Sequence, residues 1–450
     1  MICFLDSQLN FSSNYSTLIS EAFVNSRSIK EILEEVLPEK DFKIVNNLKE
    51  AKTHVQQLKV DDNKKIIIFP LKLWPKNNPK IFFNGLINSL STFSLSCEGF
   101  EILVLKASDF LLNETPNLPL IQSLELFEIS SSQDLIKISE QTFGLRNFNS
   151  LEIKDSIITK SSSEKQKLSN EFTFTHNLPD TLKKYYVQVL DFNINQEVAS
   201  YTMKKINGLN CSSLFANESS FSLEENFFNF IEEYLQNSFL FAETKNDKDF
   251  YIRSLQDKNT ERINTLSKHK NFNQLNDWSE YKCSLTLFDL VKELNGLIQS
   301  FNPSENFWKN GMFHGDLFFS NIVYCFETQK FLLIDPRGDN NFSFLGYELS
   351  KLSHSINGSY DYLAAGNFTF LSKQSAIVVE KPSYNKKLKN LFLSLLNTME
   401  ISVSSISIIE SSLFLSMLPI HKDNSSRQIA LLSRCLELFQ DISEGKDALN

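Results

Sequence analysis

Between Phe313 and Asp339 the chain reads FHGDLFFSNIVYCFETQKFLLIDPRGD, and three of its side chains make a set suited to phosphoryl transfer. NIVYCF and KFLLID are apolar runs on either side of Glu327, Thr328 and Gln329, the pattern of a β-hairpin. If Phe326 pairs with Phe331, Asn321 falls opposite Pro336, next to Asp335. Facing residues of an antiparallel ladder lie about 5 Å apart, so Asn321 and Asp335 meet at the open mouth of the hairpin. Asp316 arrives there on the loop that feeds the first strand. Mg²⁺ is a hard ion that takes oxygen ligands, usually one or two carboxylates plus phosphate and water. Asp335 and the side-chain oxygen of Asn321 suit that role. Asp316 suits a different one: accepting the proton of an attacking hydroxyl and aligning it with a γ-phosphate. Plainer roles exist for each, namely a turn residue, a strand cap before Pro336 and an Asx turn, but their joint spacing favours the chemistry. His314 reads as a hydrogen-bonding residue within the loop.

HGDLFFSN resembles the HGDxxxxN catalytic loop of the aminoglycoside phosphotransferase and choline kinase superfamily, and IDPRGD resembles its metal-binding Asp segment. The glycine after His314, where protein kinases carry Arg, favours a small-molecule kinase over a protein kinase. Further out, ITKSSSEKQKLSNEF is similar to the strand lysine and following helix of that superfamily. This implies that Lys160 contacts the ATP phosphates and that Glu171 orients Lys160, with Glu164 a competitor on the same helix. YTMKKINGLN is similar to the hinge that meets adenine, which places Met203 at the nucleotide. Gly346 to Leu363 resembles a helix of capsule and surface-polysaccharide relatives, and Arg337, Asp339, His354, Tyr360 and Asp361 are candidates to line an acceptor pocket. The sequence also departs from the pattern. No glycine-rich loop precedes Lys160, where Gly144 stands alone, Lys204 replaces a frequent acidic hinge residue, and Glu348 stands where many relatives brace the catalytic loop with Asp.

These residues need elements to hold them. FNSLEIK and SIITK, turning at Lys154-Asp155, read as a hairpin, and a helical pattern follows from about Ser163 to His176. VQVLDF and VASYTMKKI read as two more strands. From Leu223 onward helical patterns dominate, broken by the hairpin at Asn321 to Asp335. The first 130 or so residues alternate strands (KIIIFPL, EILVLK) with amphipathic helices (Ser28 to Leu37, Leu48 to Leu58), an α/β pattern with no GxGxxG and no P-loop. The expected class is therefore α+β. A two-lobed, protein-kinase-like domain, with a small β-rich lobe over residues 136–207 and a large helical lobe over 208–450, follows a separate α/β domain over 1–135.

The whole chain sets outer bounds. Its 450 residues exceed one compact core, and 42% hydrophobic with 22% charged residues is ordinary for a globular protein. The net charge of −9 comes with no basic stripe, which argues against nucleic acid as a partner. Six scattered cysteines form no CxxC pair, so neither a disulfide framework nor a zinc site is expected and a cytoplasmic, reducing setting fits. The most apolar stretch, Ile401 to Ile420, carries Glu410 and seven serines and is not read as a membrane span. The resemblance implies an ATP- and Mg-dependent phosphotransferase acting on a hydroxyl of a sugar, polyol or amino alcohol, in surface-polysaccharide or lipid head-group synthesis. The alternative is a pseudokinase, a nucleotide-binding interaction module in a biosynthetic complex.

Overall fold

The structure, a computed structural model, describes residues 2–12, 15–18, 23–24, 27–37, 42–58, 64–75, 82–83, 86–87, 92–97, 100–112, 120–122, 126–129, 149–154, 156–217, 223–241, 247–338, 342–364, 368–370, 377–378 and 385–445. It is a mixed α+β structure of two compact units, residues 1–147 with 216–219 and residues 148–215 with 220–450. The expected border at 135/136, Gly144, Asp155 and Asp339 all lie outside the described residues.

The first unit carries a six-stranded mixed sheet in the order Leu120–Gln122, Phe93–Cys97, Phe100–Lys106, Lys65–Pro70, Ile2–Leu5, Phe42–Val45. Ile2–Leu5 is parallel to both neighbours, while Phe100–Lys106 is antiparallel to Lys65–Pro70. A strand covered on both faces reads as a continuous apolar run, and Ile66, Ile67, Ile68 and Phe69 are all buried. The helix Leu48–Gln57 starts where the Asn47 side chain accepts from the Glu50 backbone N–H and Glu50 accepts from that of Asn46. Such a reciprocal cap contributes about 1 kcal/mol. It sets Ala51 and Val55 against Val45, Ile66, Ile68 and Leu105.

The second unit opens with a four-stranded antiparallel sheet in the order Asn149–Lys154, Ile157–Ser162, Ala199–Lys204, Val189–Ile194. The helix Lys165–His176 lies on one face. Leu168 and Phe172 from it pack with Val187, Ala199, Tyr201 and Met203, and the same cluster takes in Leu332 and Ile334 from the later hairpin. That hairpin, Ile322–Cys325 with Lys330–Leu333, forms a small sheet with Gly208–Asn210. Its register differs from expectation. Tyr324, not Phe326, faces Phe331, and Ile322 faces Leu333. Phe326 joins Glu327, Thr328 and Gln329 in a four-residue turn closed by Gln329 at φ 54°. The two-residue shift leaves every side chain on the face it was expected to take, so the mouth still holds Asn321 and Asp335.

Long helices make up the rest: Leu223–Phe239, Lys248–Leu266, Phe272–Cys283, Leu287–Ser300, Leu345–Ile356, Asn385–Thr398, Val403–Met417 and Ser425–Ser443. Their core joins Leu290, Leu294, Phe414, Leu418, Leu431 and Leu436, each buried apolar side chain contributing about 1.5–3 kcal/mol. The stretch from Gly346 to Leu363, read as one helix, is two. Leu345–Ile356 ends where Asn357 and Gly358 both donate to the Ser353 carbonyl, and Ser359 (φ 57°) redirects the chain into Tyr360–Ala364. All twelve residues of Leu345–Ile356 are buried. Among the described residues no single helix is long and apolar enough to cross a membrane, and Val403–Met417 is mostly buried among its neighbours.

Candidate active site

Two segments cross to build the site. The Arg337 N–H donates to the His314 carbonyl (2.8 Å), and the Ile334 N–H to the Asn321 carbonyl (3.0 Å). His314 links them through its ring: Nδ1 accepts from the Asp316 N–H (3.2 Å) and Nε2 donates to the Ile334 carbonyl (2.7 Å). These partners require the neutral Nε2–H tautomer, and burial holds the imidazole below its ordinary pKa. Gly315 lies at the crossing with φ +76°, where a Cβ would come 2.9 Å from Arg337 Cβ. Both the dihedral and the approach call for glycine here.

Glu348 braces the loop from the helix Leu345–Ile356. Its two carboxylate oxygens accept from the His314 N–H (3.0 Å) and the Gly315 N–H (2.9 Å), and Tyr234 Oη donates to it at 3.3 Å. The extra methylene of Glu over Asp does not prevent this contact. Burial raises the Glu348 carboxyl to about 7, with the two backbone N–H groups and Tyr234 pulling the other way.

Asp316 sits on the braced loop, its side chain about a third exposed. Lys351 Nζ lies 2.7 Å from Asp316 Oδ1. Burial alone would push this carboxyl up. The Lys351 charge and hydrogen bond, with help from His314 and Arg337, outweigh burial and hold it below the ordinary value. Asn321 Nδ2 donates to the Asp316 carbonyl at 3.0 Å, which leaves the amide oxygen Oδ1 as the atom free to ligate.

Across the mouth, Lys160 is 3% exposed and its Nζ bridges Glu171 Oε2 (2.7 Å) and Asp335 Oδ1 (2.9 Å). Lys160 faces Tyr201 on the neighbouring strand. The Tyr201 hydroxyl donates to Asp335 Oδ1 at 3.2 Å. Burial disfavours the Lys160 ammonium, but the Asp335 and Glu171 charges dominate and raise its pKa. Asp335 is held low in turn: burial opposes its charge, and Lys160 and Tyr201 overcome burial. Asp335 adopts φ 57°, a strained dihedral for a non-glycine residue. Glu164, by contrast, is exposed at the start of the helix, where Lys167 lies 3.9 Å from its carboxylate, and the carboxylate that meets Lys160 from this helix is Glu171.

The remaining candidates divide. Met203 is buried in the sheet between Ile158 and Val189, in the apolar cluster that also contains Leu332 and Ile334. Arg337 donates to Tyr347 Oη at 3.3 Å and lies 4.3 Å from the Phe342 ring centre. Asp361 accepts from Ser320 Oγ at 3.1 Å and so supports the loop next to Asn321. His354 and Tyr360 are packed inside the unit. They are 2% and 8% exposed and stack on each other at 4.4 Å, with His354 also against Phe414 at 4.1 Å. Burial keeps His354 neutral, which lets it pack as an aromatic ring. Sequence reasoning missed Lys351, Tyr201, Tyr347 and Lys258, whose Nζ donates to Tyr347 Oη at 3.1 Å. Lys351 carried one usable signal, its position a helical turn after Glu348 on the same face.

The donor set of Asp335 and Asn321 is made of hard oxygens and fits Mg²⁺. Among the described residues no three His, Cys, Asp or Glu side chains converge into a protein-only metal cage. Magnesium carried on nucleotide phosphates needs only one or two protein ligands.

No protein-family model matches the chain, and no curated protein sequence matches it. Among solved structures it is similar to a thermostable mutant of an aminoglycoside phosphotransferase in ternary complex with ADP and hygromycin B. Identity is 10% and the TM-score 0.40, over 68% of this chain and 97% of that one. A likeness of that size carries no argument about function, which rests below on the site.

Proposed function

We propose that the chain is an ATP- and Mg-dependent phosphotransferase of protein-kinase-like architecture that phosphorylates a hydroxyl of a small molecule. One observation carries this reading. Lys160 on a sheet strand is ion-paired to Glu171 on the adjacent helix and to Asp335 at the mouth of the hairpin, while Asp316 and Asn321 stand on the loop that feeds the same mouth. A strand lysine, a helix glutamate, a metal-binding aspartate and a catalytic-loop aspartate and asparagine are the parts a kinase uses.

In this reading Lys160 neutralises nucleotide phosphates, and the apolar cluster around Met203, Ile158 and Leu332 offers a face for adenine. Asp335 and Asn321 Oδ1 would hold Mg²⁺, which neutralises charge on the phosphates when bound. Asp316, ionised because Lys351 keeps its pKa low, accepts a hydrogen bond from the acceptor hydroxyl and aims its oxygen at the γ-phosphorus. The new O–P bond forms as the bond from the γ-phosphorus to the β–γ bridging oxygen breaks. ADP leaves with the electron pair, and the hydroxyl proton passes to Asp316 and on to solvent. The acceptor class is a sugar, polyol or amino alcohol, and surface-polysaccharide or lipid head-group synthesis is the proposed setting.

Asp316→Asn and Asp335→Asn test the assignment. Asp316→Asn should bind Mg-ATP normally while turnover falls about 10²–10⁴-fold. Asp335→Asn should lose Mg-dependent ATP affinity itself, read by calorimetry. If wild type binds nucleotide but transfers to no acceptor, or neither substitution changes transfer, the enzyme reading gives way to a nucleotide-binding interaction module.

A further inference from the structure

Three cations gather around Tyr347, next to Asp316. Lys258 Nζ and Arg337 Nη1 both donate to Tyr347 Oη, at 3.1 and 3.3 Å. Lys351 Nζ lies 5.8 Å from the Tyr347 ring centre and 2.7 Å from Asp316 Oδ1. Phe342 stacks on Tyr347 at 4.6 Å, and Lys258 Nζ stands 5.2 Å from its ring centre. The cations come from three separate stretches of chain: the helix Lys248–Leu266, the segment after Asp335, and the helix Leu345–Ile356. Their convergence is therefore a tertiary construction and not a solvated charge run.

Within this group the cation without a carboxylate partner among the described residues is Lys258. Asp316 balances Lys351. Lys258 forms no ion pair with a carboxylate among the described residues; its hydrogen bond goes to a phenol. Burial pushes its ammonium down to about 8, with Tyr347 opposing and the charges of Lys351 and Arg337 adding to the fall. Buried cations are ordinarily paired, and lysine and arginine over aromatic rings make charge-assisted bonds to carboxylate and phosphate oxygens. A polycationic acceptor would meet repulsion at the same place.

We propose that the acceptor of this site is a small hydroxyl compound that already carries an anionic group, a phosphate or a carboxylate, bound by Lys258 with its hydroxyl at Asp316. The inference rests on the phosphotransferase reading and narrows it away from amino alcohols and aminoglycosides.

The test uses full-length protein saturated with a non-hydrolysable Mg-ATP analogue. Two matched series are titrated calorimetrically: glucose, glucose 6-phosphate and glucuronate; glycerol, glycerol 3-phosphate and glycerate. Hygromycin B serves as the polycation. In at least one series an anionic member should bind ten-fold or more tighter than its neutral parent, and the stronger of the two anions names the group. Lys258→Met keeps the aliphatic stem on Phe342 and Tyr347 but deletes the charge, and should erase that preference. Lys258→Glu should reverse it. Thermal melts of both variants establish that they fold; if one does not, the other still decides. The proposal is overturned if no anion outbinds its neutral parent, if hygromycin B binds tightest, or if the preference survives in a folded Lys258 variant. Failure of the nucleotide analogue to bind at all would instead overturn the phosphotransferase reading.

Discussion

Lys351 stands 2.7 Å from Asp316, and the charge state of the candidate base depends on it. Without that ammonium, burial would raise the Asp316 carboxyl. Lys351→Met should therefore move the acid limb of kcat to higher pH, while an unmoved limb would detach Lys351 from the base. Glu348 gives a different signature. Its folded-state pKa of about 7 exceeds the 4.5 of an ordinary Glu, so between those values the native state holds a proton that the unfolded chain has lost. Stability should fall as pH rises through that window, by a total on the order of 3 kcal/mol. Glu348→Gln, which cannot titrate, should flatten this slope in melts recorded from pH 4.5 to 7.5; a slope unchanged in the variant would assign it to other groups. Asp316, Asn321 and Asp335 were legible in the sequence because short, local elements bring them together. Lys258 was not, because it reaches the site from a distant helix and nothing in its spacing marks the face it presents, and Lys351 carried only its place one turn after Glu348.

At the scale of elements, the helix Lys165–His176 and the segment after Asp335 are fitted to each other. Gly338 has φ +69°, and a Cβ there would collide with the Asn170 carbonyl oxygen, one residue before Glu171. Gly338→Ala should cost about 1–3 kcal/mol through strain and contact. By pushing the helix away it should also weaken the Lys160–Glu171 pair, so the KM for ATP should rise more than kcat falls. An unaffected ATP KM with lowered stability would limit Gly338 to a packing role. The strands, the Glu-bearing helix and the hairpin were each readable from periodicity. Choosing between Glu164 and Glu171 required the helix start: beginning at Lys165 leaves Glu164 outside facing solvent and carries Glu171 round to the sheet. The hairpin register was misjudged because a four-residue turn over 327–330 and one over 326–329 give the same inward faces, so the apolar pattern does not choose between them.

On the scale of the whole molecule, the division between residues 147 and 148 leaves every residue of the proposed site in the second unit. A chain starting at Phe148 should fold, bind Mg-ATP and retain transfer activity, as judged by a cooperative melt and calorimetry. A soluble truncated protein that binds no nucleotide would mean that the first unit completes the site. The first unit offers no nucleotide-binding motif, and its mixed sheet could serve many purposes. Its function was therefore illegible even though its strands were not.

The ring of His314 has one more consequence. Because it takes the Asp316 amide proton on one nitrogen and gives its own proton to the Ile334 carbonyl with the other, the imidazole is a strut of fixed length between the two halves of the site. Its tautomer is frozen, and so it doubles as a built-in spectroscopic gauge. In a long-range ¹H–¹⁵N spectrum His314 should keep the pattern of a ring protonated only at Nε2 as the pH is varied. Its two nitrogen shifts should change together when nucleotide binds, reporting the Asp316 loop and the Asp335 segment as one rigid body.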